Sequence, residues 1–154
     1  MARVSIPVQI RWSDIDGYGH VNNAALLTLL EQARIATFWK PERAADQEHS
    51  GQPLPGGLGA ERYTLVARQE VEYLAPLGYS QRPARIELWL AEIGGASLEV
   101  NYQVYSPDEV LCAMAATTIV MVDAHSGSPR RFTAAERGAL HGLRDEPIRF
   151  RRRR

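Results

Sequence analysis

Residues 11–40 read R-W-S-D-I-D-G-Y-G-H-V-N-N-A-A-L-L-T-L-L-E-Q-A-R-I-A-T-F-W-K, and this stretch decides how the rest of the chain is arranged. Arg11 and Trp12 close an alternating run, Gly17 and Gly19 supply a turn, and Asn22 or Asn23 is placed to cap a helix. Apolar residues then fall at Leu26, Leu29, Leu30, Ala33 and Phe38, with Leu27, Ile35, Ala36 and Trp39 widening the stripe. That spacing is helical, and it leaves Thr28, Glu31, Gln32 and Arg34 as the polar strip. A helix so apolar needs other structure wrapped around it. Its first turn differs: Asp14, Asp16, Tyr18, His20, Asn22 and Asn23 crowd the positive end of the helix dipole.

Outward from this helix the pattern is that of strands. Residues 3–12 alternate Val4, Ile6, Val8, Ile10 and Trp12 with polar neighbours, and Pro7 suits an edge position. Pro41 ends the helix. Residues 41–60 begin polar and end rich in glycine and proline, as a connecting loop or a lid. From Arg62 four further strands are expected, over 62–74, 84–93, 97–105 and 110–122. In the first of these, Leu65, Ala67, Gln69, Val71 and Tyr73 share a face, and Gly94-Gly95 is a hairpin signal. The small side chains of Cys112, Ala113, Ala115, Ala116 and Thr117 predict a central strand running beneath the long helix. Thr133 and Glu136 form a capping box for a short second helix to Leu143. The sum is an α+β fold: five antiparallel strands with one long helix inserted after the first.

Composition narrows the function classes. With 154 residues and 45% hydrophobic content, residues 1–148 are expected to form one domain, followed by an arginine-rich tail at 149–154. The formal net charge of +0 hides an asymmetry. Arg149 and Arg151 to Arg154 are five of the 18 basic residues, so the body carries 13 basic against 18 acidic groups. Such a tail is a solvated end or an attractor of phosphates. No stacking-aromatic module or recognition helix accompanies it, which argues against nucleic-acid binding as the main function. No apolar run has the length of a membrane span, no signal-peptide core precedes the first strand, and the lone Cys112 leaves no internal disulfide. A cytoplasmic location is the expectation.

The chemistry concentrates before the helix. Asp16 can attack an electrophile held at the helix end, activate a water against it, or merely cap the turn. The first helical N–H groups, those of Asn22 and Asn23, are placed to stabilise an oxyanion. Asp14 reads as structural, and His20 as structural or as a partner of Asp16 or of a substrate carbonyl. Glu31 either pairs with Arg34 or faces the site. Cys112 reads as packing, and His49 and His125 lack metal-ligand spacing.

The run D-I-D-G-Y-G-H-V-N-N, followed by L-L-E-Q-A-R, resembles the hotdog-fold acyl-CoA thioesterases of the 4-hydroxybenzoyl-CoA thioesterase type. It is also similar to the core of plant-type acyl-ACP thioesterases. V-E-Y-L-A-P-L, A-E-I-G-G-A-S-L and the small-residue strand ending V-M-V-D extend the likeness over nearly the whole chain. The resemblance implies a hotdog fold, its five-stranded antiparallel sheet wrapped around one long central helix. It places the catalytic carboxylate at Asp16 and the carbonyl-polarising N–H at Asn23, with His20, Asn22, Glu31 and Arg34 matching the family's signature positions. It implies a homodimer or homotetramer with sites at subunit interfaces, and no cofactor or metal. Two positions depart from the pattern: Leu26 stands where an aromatic residue is usual, and the S-Q-R-P turn at 80–83 lacks Gly-Asp. Tyr18, Asn22, Leu26, Leu27, Leu30 and Tyr63 are the candidate substrate contacts, and Arg82, with Arg130 and Arg131, the candidate phosphate contacts. The expected reaction is hydrolysis of an acyl-CoA or acyl-carrier-protein thioester. A non-catalytic acyl-CoA-binding protein and a hotdog dehydratase or hydratase are the alternatives.

Overall fold

The computed structural model describes residues 3–39, 53–55 and 59–151. The chain forms β1 (Val4–Val8), a 3-10 turn (Trp12–Asp14), α1 (Asn23–Phe38), β2 (Arg62–Tyr73), β3 (Ala84–Ile93), β4 (Ser97–Tyr105), β5 (Leu111–Asp123) and α2 (Ala134–His141). The strands make one antiparallel sheet in the order β1-β3-β4-β5-β2. This is the hotdog arrangement, with α1 as the long helix in the grip of the sheet.

Period-two alternation decides which face is buried. Ile86, Leu88 and Leu90 of β3, Leu98, Val100, Tyr102 and Val104 of β4, and Ala113, Ala115, Ile119 and Met121 of β5 are all buried in one cluster. Leu26, Leu29, Leu30, Ala33 and Phe38 of α1 complete it, and each buried leucine contributes roughly 2 kcal/mol. Arg34 departs from the expected polar strip. It turns inward at 8% exposure, and its Nη1 donates to the Tyr102 hydroxyl at 3.0 Å.

Four further expectations are corrected. Trp12 is not on a strand: β1 ends at Val8, and the chain tightens into the 3-10 turn, leaving Trp12 74% exposed. The single face proposed for β2 is broken by a bulge between Val66 and Arg68. An extra residue in one strand reverses the alternation. Thr64 and Val66 therefore share the helix side with Tyr73, while Leu65 does not. β5 is an interior strand, but β4 is the central one, and the strands whose backbones run closest to α1 are β1 and β3. The small residues at the start of β5 make room for a cleft instead of drawing the helix in.

The fourth correction concerns the basic C-terminus. Its described backbone is docked on the sheet, while the side chains of Arg149 and Arg151 stay exposed. After α2, the Leu90 N–H donates to Leu143 O and the Asp145 N–H to Leu90 O, which seats the chain at the β3 edge beyond β1. It then crosses the outer face of the sheet. Trp89 Nε1 donates to Glu146 O at 2.8 Å, the Ile148 N–H to Asn101 Oδ1 at 2.7 Å, and the Arg151 N–H to the Glu72 carboxylate. Asn101 and Trp89, buried at 0% and 1% exposure, are outward-facing residues covered by this strap. The expected Thr133–Glu136 capping box is formed at α2. The loop or lid expected over 41–60, and His49 within it, lie mostly outside the described residues.

Candidate active site

The turn before α1 is built by two aspartates with different tasks. Asp14, 2% exposed, accepts the Arg11 N–H at 2.8 Å and the Arg11 guanidinium at 2.9 Å. Its backbone carbonyl accepts the Asn22 N–H at 2.8 Å, tying both ends of the turn together. Burial would raise its carboxyl pKa, but the Arg11 hydrogen bonds outweigh burial and hold it below the usual carboxylate range. This is the structural role expected for Asp14.

Asp16 opens the next loop. Ile15 and Val21 bridge antiparallel, so residues 16–20 form a tight excursion whose ends meet. The Asp16 N–H donates to His20 O at 2.9 Å, and the Gly19 N–H donates to Asp16 O at 3.0 Å. Gly19 has φ 84°, a conformation that favours glycine. The Tyr18 N–H donates to Asp16 Oδ1 at 2.8 Å, which fixes the carboxylate and leaves Oδ2 without a partner among the described residues. A backbone amide, not the His20 ring, therefore orients Asp16. The whole loop is pinned to the segment after β2, where the Val21 N–H donates to Leu77 O and His20 bridges Gly78.

Asn22 caps α1, its Oδ1 accepting the Ala24 N–H at 2.8 Å. The Asn23 N–H, at the first helical position, makes no hydrogen bond among the described residues. Its carbonyl accepts from the Tyr73 hydroxyl at 2.8 Å, which ties the helix start to the end of β2. Burial pushes the Tyr73 phenol up, so it remains a donor at neutral pH.

Beside this turn lies a cleft of about 320 Å³, lined by Val21, Leu26, Tyr73, Leu77, Cys112 and Ala113 among others. The apolar walls and the free N–H at the edge suit an acyl thioester. Of the expected substrate contacts, Leu26 lines the cleft, whereas Tyr18 (90% exposed) and Asn22 do not. Leu27 is half-buried against the core. Leu30 is fully buried in the core and does not line the cleft. Tyr63 lies at the far end of β2, next to helix-facing Thr64 and therefore on the opposite face. Glu31 is two turns along α1, its carboxylate 3.9 Å from Arg34. It lines a second cavity of about 190 Å³ with Ile35, Phe38, Thr64, Val66 and Ile119, so one subunit does not bring it to Asp16. Arg82 is engaged by Asp108 at 2.8 Å and Arg130 by Asp123 at 3.1 Å.

Sequence reasoning missed Tyr73 and the wall from Leu74 to Leu77. The signal for them was the break of the strand pattern at Ala75-Pro76, where the chain leaves the sheet under the helix start. Cys112 lines the cleft but stays a packing residue: burial pushes its thiol up, and its Sγ is directed at Val110 O, 3.3 Å away. Among the described residues, no three of His, Cys, Asp or Glu are grouped to hold a metal ion.

The model of the thioesterase-like superfamily matches residues 10–147. YsmA of Bacillus subtilis, an uncharacterized protein, is 26% identical over 133 residues, covering 86% of this chain and 82% of YsmA. Among solved structures, a predicted thioesterase from Bacillus stearothermophilus superposes with a TM-score of 0.75 at 21% identity, covering 96% of this chain and 100% of that one. A thioesterase from Thermus thermophilus, complexed with coenzyme A and Zn, superposes with a TM-score of 0.67 at 24% identity, covering 94% and 96%. With its sheet order, its helix and this match over nearly its full length, the chain is a hotdog-fold thioester hydrolase and belongs to the thioesterase-like superfamily.

Proposed function

We propose that the chain hydrolyses the thioester of an acyl-CoA or an acyl-carrier protein, with Asp16 as the reacting carboxylate and the Asn23 N–H as the oxyanion donor. The observation that carries this is the Asp16 carboxylate itself. One oxygen is tethered by the Tyr18 N–H, the other is free, and the turn that holds it runs directly into an unpaired helical N–H beside an apolar cleft.

The chemistry needs little else. In the general-base route a water attacks the thioester carbon and passes its proton to Asp16. In the nucleophilic route Asp16 attacks the thioester carbon first, the C–S bond of the tetrahedral adduct breaks to release the thiolate and leave a mixed anhydride, and water then cleaves the anhydride. Either way negative charge grows on the carbonyl oxygen, where the Asn23 N–H and the helix dipole stabilise it. A thiol of pKa about 8.5 departs as thiolate without a strong acid.

A homodimer formed through β2 fits the exposed surface, and a homotetramer would pair two such dimers. β2 is a 12-residue edge strand that, among the described residues, pairs with β5 alone, and Tyr63, Leu65, Val66 and Tyr73 are exposed along it. A long apolar edge of this kind calls for cover. Antiparallel pairing with a second β2 about its midpoint sets the Thr64 end of one copy beside the Tyr73 end of the other. The Glu31 cavity of one subunit then adjoins the Asp16 cleft of its partner, which gives Glu31 a place in the site. We place the reaction in the cytoplasm; no helix among the described residues is long and apolar enough to cross a membrane.

Thiol release from a panel of acyl-CoA esters, with Asp16→Ala alongside, tests the proposal. Turnover by the natural chain that the substitution abolishes is the expected result. Saturable binding with no turnover would replace it with a binding protein.

A further inference from the structure

Two cross-links join the start of α1 to the segment that ends β2, and they straddle the Asn22–Asn23 peptide. On one side the Val21 N–H donates to Leu77 O at 2.8 Å. On the other the Tyr73 hydroxyl donates to Asn23 O at 2.8 Å. Val21, Tyr73 and Leu77 all line the cleft. The sheet end of the second link is firmly seated. Tyr73 pairs with Ala113 of β5, and the N–H groups of Leu74 and Ala75 both donate to Cys112 O, at 2.8 and 3.1 Å.

What these bonds hold is an orientation. The Asn22–Asn23 peptide has its carbonyl engaged, since Asn22 O accepts the Leu26 N–H at 3.1 Å, and its N–H is the free one. The next peptide is fixed at both ends. Asn23 O accepts from Tyr73, and the Ala24 N–H donates to Asn22 Oδ1 at 2.8 Å and to Asn23 Oδ1 at 2.9 Å. With the peptide planes on both sides of the Asn23 α-carbon pinned, the Asn23 N–H has one direction. First-turn N–H groups lack an intrahelical partner, and helix ends fray unless they are held. A donor to a developing oxyanion is effective when it is aimed before the charge appears.

The phenol is committed to this task. Its single proton goes to Asn23 O, and burial pushes its pKa up, so the proton stays in place at neutral pH. The bond ends on the peptide after the one that bears the Asn23 N–H, so its effect on that N–H is geometric and not electronic.

We infer that Tyr73 is a positioning residue of the oxyanion site, its hydroxyl holding the first turn of α1 so that the Asn23 N–H is presented to the thioester carbonyl. This rests on the thioesterase reading above and adds a residue which that reading does not use. Tyr73 acts through the backbone of Asn23 and not on the reacting atoms.

The full-length chain with Tyr73→Phe tests it. The variant keeps the ring in the cleft wall, the pairing with β5 and the Val21–Leu77 link. Loss of one neutral hydrogen bond corresponds to a fall in kcat of about fivefold to tenfold for an acyl-CoA ester, with KM within about twofold. The second readout is the infrared carbonyl stretch of an isotopically labelled acyl-CoA bound to Asp16→Asn, in which turnover is slow. A carbonyl polarised by the Asn23 N–H absorbs at lower frequency than an unbonded one, and adding Tyr73→Phe is expected to move it up. An unshifted stretch overturns the inference. So does a lowered denaturant midpoint with kcat per folded molecule unchanged, the signature of a bond that serves stability alone. A rise in KM at constant kcat also overturns it, making Tyr73 a binding contact. If the natural chain releases no thiol from any ester, the thioesterase reading fails and the inference falls with it. Turnover by the natural chain that Tyr73→Phe matches sinks the inference alone.

Discussion

The segment around Asp14 and the loop that starts at Asp16 are adjacent in sequence and opposite in environment. Asp14 is buried, ion-paired to Arg11 and bonded on both oxygens, so nothing remains for chemistry. Asp16 is half-buried, bonded through one oxygen and open at the other. The same side chain is structural where its hydrogen-bonding capacity is exhausted, and at Asp16 some is left over for the role proposed for it. The division follows the backbone: Asp14 closes the 3-10 turn, and the Ile15–Val21 bridge then sends Asp16 into the next loop.

The contrast fails most visibly if the two aspartates exchange outcomes. Asp16→Ala is expected to lower kcat by about 10³-fold, within the range for losing a general base or nucleophile, with thermal stability unchanged. Asp14→Ala is expected to do the reverse. It removes both side-chain acceptors of Arg11 and costs about 2–3 kcal/mol, discounted because Arg11 is largely exposed, while the Asn22 bond to the backbone carbonyl stays and activity per folded molecule remains within a few-fold. Thiol release and denaturant melts on both variants separate the two. A stable, inactive Asp14 variant would defeat the division of labour.

An acid titration adds resolution. Burial raises the Glu136 carboxyl, but the two hydrogen bonds from Arg62 outweigh that, as the Arg11 bonds do at Asp14, and both carboxyls lie below their ordinary range. A group whose native pKa is depressed stabilises the fold above its unfolded pKa, about 4, and that stability is lost as pH falls through the native value. Denaturant midpoints of the natural chain should therefore drop below about pH 4. The gap between it and Asp14→Ala or Glu136→Gln should narrow over the same interval. A gap that widens with acid would contradict the assigned ion pairs.

The smallest effect is expected at Cys112. Cys112→Ala enlarges the cleft wall slightly, costs on the order of 1 kcal/mol, and leaves kcat within a few-fold, since a thiol held protonated by burial takes no part. Loss of turnover there, at unchanged stability, would move the chemistry to the wrong side of the cleft.

Period-two alternation made β3, β4 and β5 legible almost to the residue, and the capping box made α2 legible, because these signals are local. The β2 bulge was not, since no glycine or proline marks it at Ala67, and so Leu65 was set on the same face as Tyr73. The strap was misjudged by composition: five arginines dominated the reading, although Ile148 and Phe150 alternate with them as any half-buried strand would. At the site, Asp16 and Asn23 stood out because polar residues crowd a helix start without a packing reason. Tyr73 and the wall around Leu77 did not, because only the folded sheet brings them to α1.

What remains decisive is whether the Asp16 carboxylate reacts or merely holds the turn. Single-turnover thiol release by Asp16→Asn, measured beside its affinity for the same acyl-CoA, isolates that question, because the amide keeps the acceptor for the Tyr18 N–H and loses the basic oxygen. A reacting carboxylate requires affinity within a few-fold of the natural chain and thiol release slower by about 10³-fold. Thiol release at the natural rate from a tightly bound ester would contradict it.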